Sequence, residues 1–182
     1  LYAKAMKYFI VIAMMAFLVV MFYMDILKYI ISPAYWEGLN VVPVVMAAEI
    51  FMGIYFNLSF WYKLNDETYW GAIFSFIGCA ILFAVNIIFV PVYGYIACAW
   101  ASFAGYFTAM LLSYIIGQKR NAIGYDTKSI LTYTALFAIV YVISIINPIE
   151  NSIARMACNT VLLVVFVAYF IKKDLPLKSL PV

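Results

Sequence analysis

Apolar residues occur in six long runs along the chain, separated by short breaks that carry charge, proline or glycine. A bilayer core of about 30 Å requires about 20 apolar residues in helical form, so each run is long enough to cross a membrane. The runs do not alternate apolar and polar residues as a transmembrane β-strand does. We therefore predict an all-α fold, a polytopic transmembrane helix bundle whose six spans lie at about residues 8–24, 41–64, 71–89, 96–116, 130–146 and 154–171.

Proline and glycine mark the ends of several predicted spans. The first span could continue as far as Ile31. We expect a turn from Pro91 to Gly94 between the third and fourth spans, because proline and glycine end helices. Pro43, near the start of the second span, is either a first-turn proline or the site of a kink.

The composition supports the same class and excludes others. Hydrophobic residues make up 69% of the chain and charged residues 10%, whereas soluble domains are about a quarter charged. The net charge of +3 is too small to indicate nucleic-acid binding. There is no histidine, and the three cysteines lie inside apolar runs without C-x-x-C spacing, so we expect no cofactor, no metal site and no disulfide. Without a nucleotide-binding loop or a nucleophile–base constellation, we do not expect an enzyme.

Lysine and arginine divide unevenly between the two sides of the predicted membrane. Of the eleven, only Lys28 and Arg155 fall on the side opposite to the chain ends. Cytoplasmic loops carry the excess of cations, so we predict that both ends are cytoplasmic and that the Pro91–Gly94 turn faces outward. The other nine cations are Lys4, Lys7, Lys63, Lys119, Arg120, Lys128, Lys172, Lys173 and Lys178.

Small residues line one face of the third span and one face of the fourth. Helices in lipid approach each other closely where small residues meet. These faces are therefore candidates for a tight interhelical contact, and lining of an interior lumen is the alternative. The residues are Gly71, Ser75, Gly78, Cys79 and Asn86 on the third span and Ala97, Ala101, Ala104, Gly105 and Thr108 on the fourth.

Glu49 is the costliest residue to place in a membrane. It lies about 12 Å below the predicted outer surface, where an acid costs about 2.5–3.5 kcal/mol on insertion scales. It should therefore face the interior, water or a partner, and Gly53, Asn57 and Phe60 share its face at helical spacing. We identify Glu49 and Asn57 as candidates for transport or ion coupling, with a neutral, hydrogen-bonded structural role for Glu49 as the alternative.

Polar side chains on other spans are candidates for a cavity or for interhelical contacts. Asn86 could hydrogen-bond across helices near the outer third of the membrane, and Asn159 and Thr160 are interpreted similarly. Arg155, at the outer start of the last span, either meets an anionic head group or phosphate, reaches water, or pairs with Glu150.

Two segments of the chain resemble a known family. P-A-Y-W-E-G-L-N-V-V-P-V-V-M (Pro33–Met46) and N-I-I-F-V-P-V-Y-G-Y-I-A-C-A-W-A-S (Asn86–Ser102) resemble segments of bacterial polysaccharide and O-antigen flippases. The second segment matches the family pattern N…l-I-P-x-Y-G-x-x-G-A-A-x-A-T, except for Ala97-Cys98 in place of Gly-Ala and Ser102 in place of Thr. These flippases belong to the multidrug/oligosaccharidyl-lipid/polysaccharide exporter superfamily.

The resemblance implies a transporter with two helical lobes around a central cavity. Such proteins move lipid-linked oligosaccharide, here an undecaprenyl-diphosphate-linked glycan, across the bacterial inner membrane by alternating access. The chain begins with L-Y-A-K-A-M-K, like the end of a loop, and would form the C-terminal lobe without its N-terminal half. That half and membrane lipid are the expected partners. Since this chain has few cations at depth, the substrate phosphate is expected to bind in the missing half.

Two other functions stay open at this point. A drug/cation antiporter of the same superfamily would favour several acids in the cavity, and only Glu49 is found here. A membrane scaffold or assembly module that transports nothing is the alternative from a different class.

Overall fold

Helices make up nearly all of the computed structural model, which describes residues 2–120, 123–147 and 152–174. Two 3₁₀ helices, Lys28–Ile30 and Pro33–Val41, lie between the first long helix and the second. No strand occurs in the described residues. The α-helices are α1 (Tyr2–Phe22), α2 (Met24–Leu27), α3 (Val42–Leu58), α4 (Phe60–Leu64), α5 (Tyr69–Tyr93), α6 (Tyr95–Arg120), α7 (Thr127–Ile146) and α8 (Ser152–Asp174).

Six helical segments within the described ranges are long and apolar enough to cross a membrane. Five of them are α1, α5, α6, α7 and the Ala154–Asp174 part of α8. The sixth, Pro33–Leu64, joins the second 3₁₀ helix to α3 and α4. The all-α fold with six apolar helices of membrane length, predicted from the apolar runs, is confirmed.

Two helix ends can be compared with the prediction, and one alternative is decided. α1 ends at Phe22, and the chain continues toward Ile31 as the short helix α2 and the 3₁₀ helix Lys28–Ile30. Pro91 lies inside α5, and the connection to α6 is made at Gly94 alone. Proline near a helix end removes only one backbone hydrogen bond, and the Gly94 N–H still donates to the Val90 carbonyl at 2.9 Å. Pro43 lies in the first turn of α3, as one of the two alternatives proposed.

Gly94 allows two long helices to follow each other almost directly. Its φ of 57° lies in a region that side-chain-bearing residues rarely adopt. The chain therefore reverses in one residue where a four-residue turn from Pro91 to Gly94 was predicted.

The helices form two groups of three. In the first group, α6 packs against both α5 and α3; in the second, α1 packs against α7 and α8. The α1–α3 contact joins the groups, and there the Phe9 ring covers Gly53, where an added Cβ would lie 2.1 Å from the ring.

The predicted tight contact between the third and fourth spans is present. A Cβ on Gly105 would lie 2.8 Å from the Gly78 carbonyl oxygen, and a Cβ on Gly78 would lie 3.0 Å from the Gly105 oxygen. Backbones approach this closely only where both helices present glycine. This pair therefore sets the distance between α5 and α6.

The two ends of the described chain meet at one face of the bundle. Lys7 of α1 pairs with Asp174 at the end of α8 at 2.5 Å, and Tyr133 of α7 donates a hydrogen bond to the same carboxylate. At this end, a buried core that includes Ile10, Leu58 and Tyr133 fills the space between the two groups, with Met110 and Tyr114 of α6 packed against it. Toward the opposite end, an apolar cavity lies between the two groups.

Candidate functional site

This apolar cleft lies between the two helix groups. It has a volume of about 340 Å³ and is bordered by α1, α3, α6 and α7. Pro43, Ala47 and Ile50 of α3 form one wall. The exposed lining is entirely apolar, although Thr134 and Tyr141 of α7 border it. The cleft therefore offers an environment suited to a hydrocarbon chain or another apolar group.

A polar cavity of about 360 Å³ adjoins the apolar cleft at the end away from the chain termini. Pro43 and Tyr141 line both of them, so the polar cavity and the apolar cleft lie side by side. The polar part is bordered by α1, α2, α7, α8 and the segment before α3. Its polar lining residues are Asp25, Asn40, Tyr141, Ser144, Arg155 and Asn159.

An ion pair lies at the mouth of the polar cavity. The Arg155 guanidinium on α8 donates to the Asp25 carboxylate on α2, and Ser152 donates to the same oxygen at 3.1 Å. Lys28 lies 3.8 Å from the other oxygen. The hydrogen bond from Arg155 holds the pKa of Asp25 below its usual value, although partial burial acts in the opposite direction. Asp25 is therefore ionised at neutral pH.

Arg155 thus has a partner that the sequence did not indicate. Of the three alternatives for Arg155, pairing with an acid is realised, but with Asp25 on α2. Glu150, the acid proposed earlier, lies outside the described residues.

Asn159 lies deeper in the polar cavity and has an unusual environment. The residue is 5% exposed, and its side-chain oxygen has no hydrogen-bond partner in the described part of the chain. The neighbouring Thr160 does have a hydrogen-bond partner, because the Tyr23 hydroxyl lies 2.8 Å from the Thr160 hydroxyl. This hydrogen bond ties the end of α1 to α8. Thr160 thus makes the interhelical bond that had been considered for both residues, and Asn159 does not.

Glu49 and Asn57 lie outside this cleft. The cleft-lining residues of α3, such as Ala47 and Ile50, occupy one side of the helix; Glu49 is exposed on the opposite side with Val45 and Phe56. No described residue gives Glu49 an ion pair or a hydrogen bond. Asn57 donates to the Gly53 carbonyl of its own helix at 3.0 Å. A coupling role for these two residues stays a prediction, and it would act through groups beyond this bundle.

Asn86 bonds within its own helix. Its amide nitrogen donates to the Leu82 carbonyl at 3.0 Å, and its buried side-chain oxygen has no partner among the described residues. The predicted hydrogen bond across helices is therefore not formed. Asn86 lies on α5, which does not border the apolar cleft or the polar cavity.

No grouping suited to a metal is found where the structure describes the chain: three His, Cys, Asp or Glu side chains do not come together there. The cysteines at 79, 98 and 158 are free thiols.

The fold and the cleft define a class, a helical protein whose six long apolar helices are compatible with a membrane. No family model, no curated protein and no solved structure matches the chain. A narrower assignment must therefore come from the cleft and from the residues that form it.

Proposed function

We propose that this chain is part of a flippase that moves lipid-linked oligosaccharide across the bacterial inner membrane by alternating access, as the C-terminal lobe of a two-lobe transporter. The observation that supports the proposal is that the polar cavity lies next to the apolar cleft, with Pro43 and Tyr141 lining both. A lipid-linked glycan has the same two parts, a hydroxylated head and a long hydrocarbon chain. A cleft of this kind would accept both parts at once.

The position of the polar cavity is consistent with such a transporter. Phe22 near the end of α1 and Ile145 near the end of α7 line this cavity, at the end of the bundle away from the chain termini. With the orientation predicted from the cations, the cavity would lie toward the outer side of the membrane. Ion coupling belongs to the proposal, with Glu49, which is exposed on α3, as the candidate group.

A drug antiporter is the second candidate, and one observation favours it. Aromatic rings line much of the apolar part, among them Phe51, Trp100 and Phe103, and rings of this kind also bind flat, lipophilic cations. The measured cargo separates the two candidates, because loss of surface polysaccharide and loss of drug resistance are independent phenotypes.

Filling the cleft tests whether it carries a substrate. In the full-length protein, Ala47→Phe places a ring in the apolar cleft, and we expect surface polysaccharide export to fall at least about tenfold, a change of about 1.4 kcal/mol in the limiting step. Val45→Phe is the matched control, because Val45 lies two residues away on the exposed side of α3 and should keep wild-type export. The assay is complementation of a deletion strain, with membrane levels of each variant measured by immunoblot.

Three outcomes would contradict the proposal. Export that is unchanged by Ala47→Phe would support a scaffold that transports nothing. Equal loss in both variants would mean that the cleft has no special role. A loss of drug resistance with normal export would favour the antiporter.

A further inference from the structure

The buried amide of Asn159 points to a ligand in the polar cavity. A buried acceptor without a hydrogen-bond donor costs about 1–3 kcal/mol, so native proteins rarely leave one unpaired. Asn159 is 5% exposed, lines the cavity and has no partner among the described residues. A hydroxyl group, which both donates and accepts, satisfies this acceptor.

The ion pair at the mouth argues against an anion in this cavity. Arg155 is the cation that lines it, and its guanidinium already donates to Asp25. A phosphate bound to the remaining N–H groups of Arg155 would lie beside the Asp25 carboxylate, which would repel it. Lys28 lies on the far oxygen of Asp25 and over the Trp36 ring, and it does not line the cavity.

The remaining lining completes a site for an uncharged polar group. Asn40 and Ser144 supply further donors and acceptors, and Phe22 and Tyr141 supply apolar surface. The cavity volume of about 360 Å³ lies at the lower end of the range for small-molecule sites. Hydroxyl groups on a ring with apolar faces are the chemistry that matches these walls.

We propose that Asn159, with Ser144 and Asn40, forms a subsite that binds the hydroxyl groups of a sugar ring, and that the Asp25–Arg155 pair excludes phosphate from it. For its physiological ligand, this inference rests on the proposed function. It deepens that function, because it states that this lobe binds the sugar part of the lipid-linked glycan. The hydrocarbon chain continues into the apolar cleft past Pro43 and Tyr141.

Binding of simple amphiphiles tests the subsite. The full-length protein in phosphatidylcholine nanodiscs is titrated with radiolabelled octyl β-glucoside below its micelle concentration, and separately with octyl phosphate, each corrected with empty nanodiscs. We expect octyl glucoside to bind more tightly than octyl phosphate. Asn159→Leu, which keeps the side-chain volume, should weaken octyl glucoside binding about tenfold, the effect of one lost hydrogen bond.

Matched variants keep the test interpretable. Asn86→Leu makes the same exchange at a half-buried amide that also has an unpaired oxygen among the described residues, but lies away from the cavity, and it should leave octyl glucoside binding unchanged. Ser144→Ala should weaken binding about threefold with little risk to the fold. Gel filtration establishes that each variant is folded.

Two results would overturn the proposal. If octyl glucoside binds the Asn159→Leu and Ser144→Ala variants as tightly as the wild type, then water, and not a sugar hydroxyl, satisfies the Asn159 amide. Octyl phosphate that binds more tightly than octyl glucoside, and loses its affinity in Arg155→Gln, would mean that the site takes an anion. Export assays with Ala47→Phe are independent of this result, so loss of the transport proposal and loss of the sugar subsite are distinguishable.

Discussion

Two aspartates show how the surroundings of a residue decide its role. Asp174 pairs with Lys7 and accepts from Tyr133, and both charged side chains are nearly buried, at 13% exposed for Lys7 and 11% for Asp174. Asp25 pairs with Arg155 in a more open setting, at 28% and 38% exposed. The first pair ties three helices together at the closed end. The second lies at the open end, where solvent weakens it, so it can rearrange at lower cost.

The Asp25 pair predicts a defined pH response. Because its pKa is lowered in the folded protein, Asp25 stabilises the fold above its unfolded pKa, and this stabilisation is lost as the pH falls through the folded pKa. We therefore expect Asp25→Asn to reduce stability by at most about 1 kcal/mol, by an amount that is constant between about pH 5 and 8 and declines as the pH falls below about 4. Thermal unfolding of wild type and variant across pH measures the difference. A difference that shrinks between pH 6 and 8 would mean that another group controls the pair.

At the scale of the helices, the Gly78–Gly105 contact makes α5 and α6 a closely packed hairpin. Gly94 joins them with a single residue of positive φ, so the pair is constrained both at its turn and near its middle. The polar cavity is bordered by neither helix, and α6 contributes only Trp100 and Phe103 to the apolar cleft. This hairpin therefore serves as a firm support for α3.

Gly105→Ala tests this contact. The new Cβ would lie 2.8 Å from the Gly78 carbonyl oxygen and 3.2 Å from the Leu82 Cβ, so the helices must move apart. We expect a net loss of about 1–2 kcal/mol, because the clash outweighs the better helix propensity of alanine. Gly38→Ala is the control, since a Cβ there meets nothing within 4 Å. Thermal unfolding in detergent measures both variants, and a Gly105→Ala protein as stable as Gly38→Ala would refute the close contact.

The helices themselves were predictable from the sequence, because hydropathy and length alone identify segments that suit a membrane. The Gly78–Gly105 contact was also predictable, since small residues at helical spacing have few other uses in such a helix. The continuation of α5 through Pro91 was not predictable from the sequence. A proline close to a helix end costs only one hydrogen bond, and the local sequence does not show whether the helix tolerates that loss.

The sequence could not predict which side of each helix faces the cleft. In a soluble protein the polar side of a helix marks solvent, but here nearly every side of each helix is apolar. Glu49 was therefore the most visible candidate, and yet it lies opposite the cleft. Asp25 was overlooked because only the packing of α2 against α8 brings it to Arg155.

At the scale of the whole molecule, the two groups of three helices enclose a cleft that is closed at one end. The buried core around Leu58 and the Lys7–Asp174 pair close the end where the chain termini meet, and the polar cavity forms the other. Alternating access would require the closed end to open, with α1 and α3 as the contact about which the groups move. The central claim is that a lipid-linked glycan occupies the cleft on its way across the membrane.

Photocrosslinking from the cleft wall tests this claim most directly. Phe51 lines the cleft, whereas Phe56 is 56% exposed and faces away from it on the same helix, so each is replaced with p-benzoylphenylalanine in the full-length protein. After irradiation of living cells, adducts are analysed by mass spectrometry. We predict that position 51 captures lipid-linked glycan and that position 56 captures only membrane phospholipid. Capture of phospholipid alone at position 51, or of glycan equally at both positions, would contradict the account.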